Sequence, residues 1–301
     1  MENSKCISHQ KGNQVFGTPA NPEIQDFPEK PNILNVFPIE NNSESLVKEV
    51  LKRDLSQVTK IRFDPVNRCN QSCIFCPNNL GAKPARISTQ SFEQILKKIT
   101  TTCNRIIFGC AFEPLMEKDI QEYAYIIKSL LKKFKNKPKI NLVTNGTLLN
   151  KRNIDPFVDI CDWFHISLHS CKKDNFEFIQ KSNFDALVSN VKMLRCNYPK
   201  LKMHAEMVIT KINYKETDDY ISWAFNDLNF NTVNMRLVSL NGYHPNSYLA
   251  KTLQSDISLA ISEKEWNNLI SNLKNNYSIK VTDVSSILDS RTPVIELHNI
   301  K

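Results

Sequence analysis

The sequence predicts an α/β fold: an incomplete (β/α)6 barrel of parallel strands, with an irregular N-terminal arm and a small C-terminal extension. Two observations carry that expectation. Between residues 60 and 238 short apolar runs alternate with longer amphipathic ones, and such alternation implies parallel strands joined by crossover helices. The chain has 301 residues, of which 41% are hydrophobic and 23% charged, so it can bury a sizeable core and is not a disordered polymer. Six strand–helix units fit an incomplete barrel or an open doubly wound sheet, and in both forms sites gather at the C-terminal ends of the strands.

The elements follow in order. Residues 1–44, punctuated by Pro19, Pro22, Pro28, Pro31 and Pro38, read as irregular. Ser45–Val58 carries Leu46, Val47, Val50, Leu51 and Leu55 at helical spacing. The strands are expected at Lys60–Asp64, Arg105–Gly109, Lys139–Thr144, Trp163–Leu168, Lys202–Ile209 and Thr232–Val238. Helices are expected at Thr89–Thr101, Glu117–Phe134, Arg152–Ile160, Lys173–Cys196 and Tyr214–Asn226. In the tail, Glu263–Asn275 reads as a helix and Ser278–Val281 as a strand, while Val284–Lys301 has no clear pattern. This divides the chain into an arm and helix (1–58), a core (59–240) and an extension (241–301).

No apolar run approaches the ~18 residues a membrane helix needs. Met1–Gln25 is polar and lacks an apolar signal core, so a cytoplasmic location is expected. Nine cysteines, an odd number, then read as reduced thiols rather than disulfides. The net charge of +8 is explained by a solvated Lys-rich surface, including the patch Lys132–Lys139 at a helix end. Nucleic acid is not expected as a partner.

The chemistry is concentrated in Cys69-Asn70-Gln71-Ser72-Cys73-Ile74-Phe75-Cys76. Three thiolates this close hold one inorganic centre. Zinc wants a fourth ligand, usually from a second Cys pair that is missing here, whereas an iron–sulfur cubane with three Cys keeps one iron open. The loop follows the first core strand and is rich in Asn and Gln, so it can wrap a centre.

This triplet, its position and the aromatic Phe75 within it resemble the radical S-adenosylmethionine (radical SAM) superfamily over roughly residues 60–240. The resemblance implies one [4Fe–4S] cluster on Cys69, Cys73 and Cys76, with SAM chelating the fourth iron. It implies an external electron donor such as flavodoxin or ferredoxin. Phe75 would stack near the adenine or serve as a plain core contact. The run Gly109-Cys110-Ala111-Phe112-Glu113-Pro114 is similar to the family's Gly-Gly-Glu-Pro segment, which receives the SAM amino group, with Ala111 and Phe112 standing where glycines are usual. The Asn145-Gly146 turn and Ser167 fall at later strand ends where the family contacts SAM.

Strand four places His165, Ser167 and His169 on one face, which is too polar for an ordinary core. Glu206, between apolar residues of strand five, needs a partner, and either a ligand or Arg236 would serve. By resemblance Glu206 and Lys211 neighbour SAM or substrate, and His169 lies in the substrate's vicinity. Cys171, like Cys110, follows a strand at the active end and is a candidate hydrogen donor.

The last sixty residues have no Cys, so auxiliary clusters are not expected. That favours redox-neutral chemistry, such as epimerisation, rearrangement or elimination, on a small molecule or natural product. A peptide- or RNA-modifying enzyme of the same family is the alternative. A non-catalytic iron–sulfur or zinc protein is the contrasting class.

Overall fold

The computed structural model describes residues 9–10, 32–38, 43–76, 83–238, 259–282 and 294–298. Ten strands form one sheet: β1 (His9–Gln10), β2 (Asn32–Val36), β3 (Val58–Phe63), β4 (Arg105–Phe108), β5 (Lys139–Thr144), β6 (Trp163–Ser167), β7 (Met203–Ile209), β8 (Thr232–Leu237), β9 (Ile279–Thr282) and β10 (Val294–His298). The order is β1-β2-β3-β4-β5-β6-β7-β8-β10-β9, and the sheet is open among the described residues. Every pair from β2 to β8 is parallel, and β1, β10 and β9 add antiparallel edges. The six core strands are those the sequence predicts, and the fold is compatible with a partial barrel.

The helices are α1 (Ser43–Lys52), α2 (Thr89–Lys98), α3 (Ile120–Leu130), α4 (Lys151–Val158), α5 (Lys173–Gln180), α6 (Phe184–Asn197), α7 (Thr217–Ser222) and α8 (Glu263–Asn276). Four expectations change. The arm is not wholly irregular: β2 pairs with β3 and buries Leu34 and Val36 completely, and its prolines flank the strand rather than interrupt it. The helix expected over Ser45–Val58 ends at Lys52, and Val58 begins β3. The long helix expected over Lys173–Cys196 is two. Lys181 adopts a left-handed φ of 52°, and Asn183 starts α6 by accepting from the N–H of Ala186 at 2.7 Å. In the unassigned tail, β10 inserts beside β8.

The core lies between the helices and one face of the sheet. Ile61, Phe63, Ile106, Phe108, Phe164, Ile166, Met203, Ala205 and Met207 are fully buried there. The rings of Phe63, Phe92, Phe108 and Tyr123 pack together at centroid distances of 4.3–5.9 Å. The period of two sends the intervening residues to the concave side, here called the lumen.

Candidate active site

The Cys loop leaves β3 at Asp64 and is fixed at both ends. The Asn67 side chain donates to the Lys83 carbonyl (2.9 Å) and accepts from the N–H of Ala85 (2.6 Å). Further on, the N–H of Ile74 donates to the carbonyl of Ile179 at 2.9 Å, and Ile74 packs with Ile179, Val238 and Leu259. Between these anchors Cys69 Sγ accepts from the N–H of Gln71 (3.4 Å) and from Asn145 Nδ2 (3.5 Å). The N–H of Cys76 donates to the carbonyl of Cys73 (3.0 Å).

Burial pushes the Cys69 thiol up to about 11, and Cys73 is also raised by burial and by the neighbouring charges of Cys76 and Cys69. The thiols of one short loop oppose the ionisation of Cys69 and Cys73. A bound metal displaces those protons and reverses the preference. An all-thiol donor set of three, with N–H donors aimed at sulfur, fits an iron–sulfur cluster.

At the end of β4 the turn from Cys110 to Phe112 is organised by a residue the sequence reading did not single out. Asp64 is fully buried and accepts from the backbone N–H groups of Cys110 (3.0 Å), Ala111 (3.3 Å to Oδ2) and Phe112 (3.1 Å). Burial pushes its carboxyl up to about 7, against the lowering effect of those three donors. Gly109 makes the turn possible. Its φ is +80°, and a Cβ there would stand 2.4 Å from the carbonyl oxygen of Val143.

Glu113 faces inward as a brace between strand ends. Oε1 accepts from the N–H of Leu115 (3.0 Å) and from Thr144 Oγ1 (2.8 Å), and Oε2 accepts from the N–H of Asn145 (2.6 Å). Its backbone N–H donates to the Arg68 carbonyl at 3.0 Å, which ties this turn to the Cys loop. Asn145, whose side chain reaches both Cys69 and Asn70, and Gly146, with φ +78°, form the predicted tight turn.

Below this rim the lumen is charged. Lys60 and Arg62 of β3 are 4% and 6% exposed, and burial followed by repulsion from Arg62 lowers Lys60 to about 8. From β7, Glu206 Oε2 is paired with Arg236 of β8, and Oε1 lies 3.2 Å from His165 Nδ1 and 3.4 Å from His204 Nε2. Burial works against the Glu206 charge, yet Arg236 and then His165 hold its carboxyl well below the usual range. Arg236, one of the partners the sequence offered for Glu206, is paired with it. Asn141 Nδ2 lies 3.1 Å from His165 Nε2.

The remaining predicted residues fall as follows. His169 is buried above the lumen, with Nδ1 accepting from the N–H of Val208 at 3.2 Å. Burial and then Arg236 lower it to about 3, so it is neutral. Phe75 meets its ring edge-on at a centroid distance of 5.0 Å, which joins the Cys loop to β6. Ser167 is half-buried at the end of β6. Cys171 is half-buried and donates to Glu216 Oε2 (3.4 Å), and burial and that carboxylate raise its thiol to about 12. Lys211 is exposed beyond β7, with its N–H held by the carbonyl of Leu259 (2.9 Å) and its charge beside Glu265. The missed residues Lys60, Arg62 and Asp64 had a signal: polar side chains at every second position of an otherwise apolar strand.

A parallel α/β sheet with a three-thiol loop at the C-terminal end of its first core strand defines a class of protein, and comparison with known proteins agrees. The model of the family described as the Radical SAM superfamily matches residues 64–224, and the chain belongs to that family. Two curated relatives, each named "Probable GTP 3',8-cyclase", are from Methanocella arvoryzae (27% identical over 45% of this chain and 43% of the relative) and Methanothermobacter marburgensis (27% over 42% and 40%). The chain therefore spans less than half the length of these relatives. Among solved structures, anSMEcpe with bound AdoMet has a TM-score of 0.59 at 15% identity, covering 73% of this chain and 58% of that one. Streptococcus suis SuiB bound to S-adenosylmethionine has a TM-score of 0.55 at 17% identity, covering 78% and 51%.

The protein is thus an enzyme of the radical SAM class. Enzymes of this family bind a [4Fe–4S] cluster and SAM, and the three-thiol loop of this chain fits such a cluster. No helix among the described residues is long and apolar enough to cross a membrane.

Proposed function

We propose that this enzyme binds a small anionic molecule in the lumen and directs hydrogen abstraction at one of its carbons, with a redox-neutral outcome such as rearrangement, epimerisation or elimination. The observation that carries the reading is the row of cations on the lumen face, the buried Lys60 and Arg62 and the half-buried Arg236, against Glu206 and Asp64. Buried charges are costly unless something needs them, and an anionic substrate would balance the excess. The similarity to proteins named for a GTP cyclisation agrees with a small, phosphate-bearing substrate class.

In this reading Cys69, Cys73 and Cys76 would hold the cluster, which when bound would supply the electron for reductive cleavage of SAM. Every other task falls to the chain. Asp64 gathers the N–H groups of 110–112, turning that peptide so that its carbonyls can receive the SAM amino group. Glu113 supports the same turn from behind and sets Asn145 beside Cys69. Phe75 offers its free face to the adenine, Ser167 its hydroxyl to the ribose or carboxylate, and His169 an unprotonated ring toward the substrate. Cys171 keeps its proton, as a hydrogen-atom donor must, although its thiol is engaged by Glu216. Lys211, beside Glu265, is assigned the periphery of the site. A small flavodoxin- or ferredoxin-type protein supplies electrons, and the core spans 59–240.

The test is anaerobic reconstitution followed by dithionite-dependent cleavage of SAM to methionine and 5′-deoxyadenosine, with small phosphorylated and carboxylated compounds and, separately, peptides as additions. The reading expects the anionic small molecules to accelerate cleavage and to place substrate deuterium in 5′-deoxyadenosine. Acceleration by peptides alone would overturn it.

A further inference from the structure

The hydrogen-bond network around Glu206 leaves three buried atoms without a partner, Asn141 Oδ1, Asn234 Oδ1 and His204 Nε2, and the last of them lies beside the carboxylate. His204 is 6% exposed, its Nδ1 shares a hydrogen bond with Thr232 Oγ1, and its Nε2 is buried with no hydrogen-bond partner. That lone nitrogen lies 3.4 Å from Glu206 Oε1, and the same oxygen lies 3.2 Å from His165 Nδ1. All three atoms are within 4.8 Å of one another. A tetrahedral zinc ion, with bonds of about 2.0–2.2 Å, holds its ligand atoms roughly 3.3–3.6 Å apart. The two measured edges therefore match, or nearly match, those of a zinc polyhedron.

We infer that His165 Nδ1, His204 Nε2 and Glu206 Oε1 form a site for one divalent transition-metal ion, zinc by its donor set, inside the lumen. The three ligands come from paired positions on adjacent strands, His165 opposite His204 on β6 and β7 and Glu206 two residues further on. Two imidazoles and one carboxylate are the ligands of open zinc sites, which keep a fourth position for a water or a ligand oxygen.

The surrounding groups are those that orient ligands. With Thr232 Oγ1 as acceptor for an Nδ1 proton, the Nε2 lone pair of His204 is the one left to the site. Arg236 takes Glu206 Oε2 and leaves Oε1 to the metal. Asn141 sits against His165 Nε2, and its own Oδ1 is buried without a hydrogen-bond partner. A half-turn of that carboxamide sets its carbonyl against Nε2–H, which fixes the ring proton there and frees Nδ1.

The inference stands on the lumen residues and not on the substrate's identity. Its test uses the full-length holoenzyme with its cluster reconstituted, so that the three Cys are occupied. The protein is incubated with one equivalent of zinc sulfate, desalted and analysed for zinc, and the zinc K-edge absorption fine structure is recorded. About one zinc per chain with only nitrogen and oxygen neighbours is expected. His204→Gln should lower zinc affinity by about a hundredfold while iron content and basal SAM cleavage persist, and Thr232→Val by about tenfold. No retained zinc in the wild type, sulfur among its neighbours, or full retention in a folded His204→Gln variant would each overturn the site. The absorption measurement needs only the wild type, so a variant that fails to fold leaves the proposal testable.

Discussion

The two faces of one sheet obey different rules here. On the helix side, Phe63, Phe108, Phe164 and Ile166 are fully buried among apolar neighbours. On the lumen side, the residues that flank them on β3 and β6 are Arg62, Asp64, His165 and Ser167. The first face makes the protein stable. The second contributes little stability, because buried ions must recover their lost hydration from one another before they add anything. A polar lumen face is therefore a mark of use, and the difference teaches where in the fold to look for substrate.

The comparison can be broken by mutation. Phe108→Ala should cost ~3–5 kcal/mol by chemical denaturation, through a cavity in the aromatic cluster. Glu206→Ala should lose up to a similar ~3–5 kcal/mol for a different reason, because the half-buried Arg236 is left without its carboxylate. The distinguishing experiment is the double substitution Glu206→Leu with Arg236→Met. It should be neutral or more stable by about 1–4 kcal/mol, because it removes both charges at once, yet abolish substrate stimulation of SAM cleavage. If the double variant unfolds like the single one, the lumen network is structural after all.

Titration gives a smaller effect. Asp64 is raised from 3.8 to about 7 by burial, so between those values the folded chain holds a proton that the unfolded chain has released. This group's contribution to stability is full below pH ~4 and falls as the pH rises toward 7. Asp64→Asn should reduce that slope and leave the share of Glu113, which burial also raises to about 7, and denaturation midpoints at pH 4 to 8 would reveal it. A flat wild-type profile would show that the three N–H donors keep Asp64 ionised. The smallest effect is at the seam between loop and lumen: Phe75→Ala removes the edge contact with His169 and should cost ~0.5–1.5 kcal/mol beyond lost burial, measured by the same unfolding curves.

Much of the architecture was legible in the chain. The six core strands appear where the apolar runs lie, because a strand buried on its helix side must keep that face apolar whatever the other face does. The three-Cys loop was legible because its ligands are local in sequence. The fate of Glu113 was not: its role in the backbone segment was read from a motif, while its side chain turned out to join Thr144 and Asn145, thirty residues away. The strand β2 was hidden among prolines, since its pairing with β3 is decided by a partner and not by its own pattern.

By itself the sequence determined the class of chemistry, because three thiols in one short loop suit a cluster with an open iron and the apolar periodicity suits a parallel sheet. Only the tertiary structure decided what the lumen holds. Asp64 beneath the 110–112 turn, Arg236 on Glu206, and His204 aimed at His165 and Glu206 all join residues on different strands. Such groupings are set by strand register and sheet curvature, which bring distant residues within a few ångströms and leave no local trace in the chain.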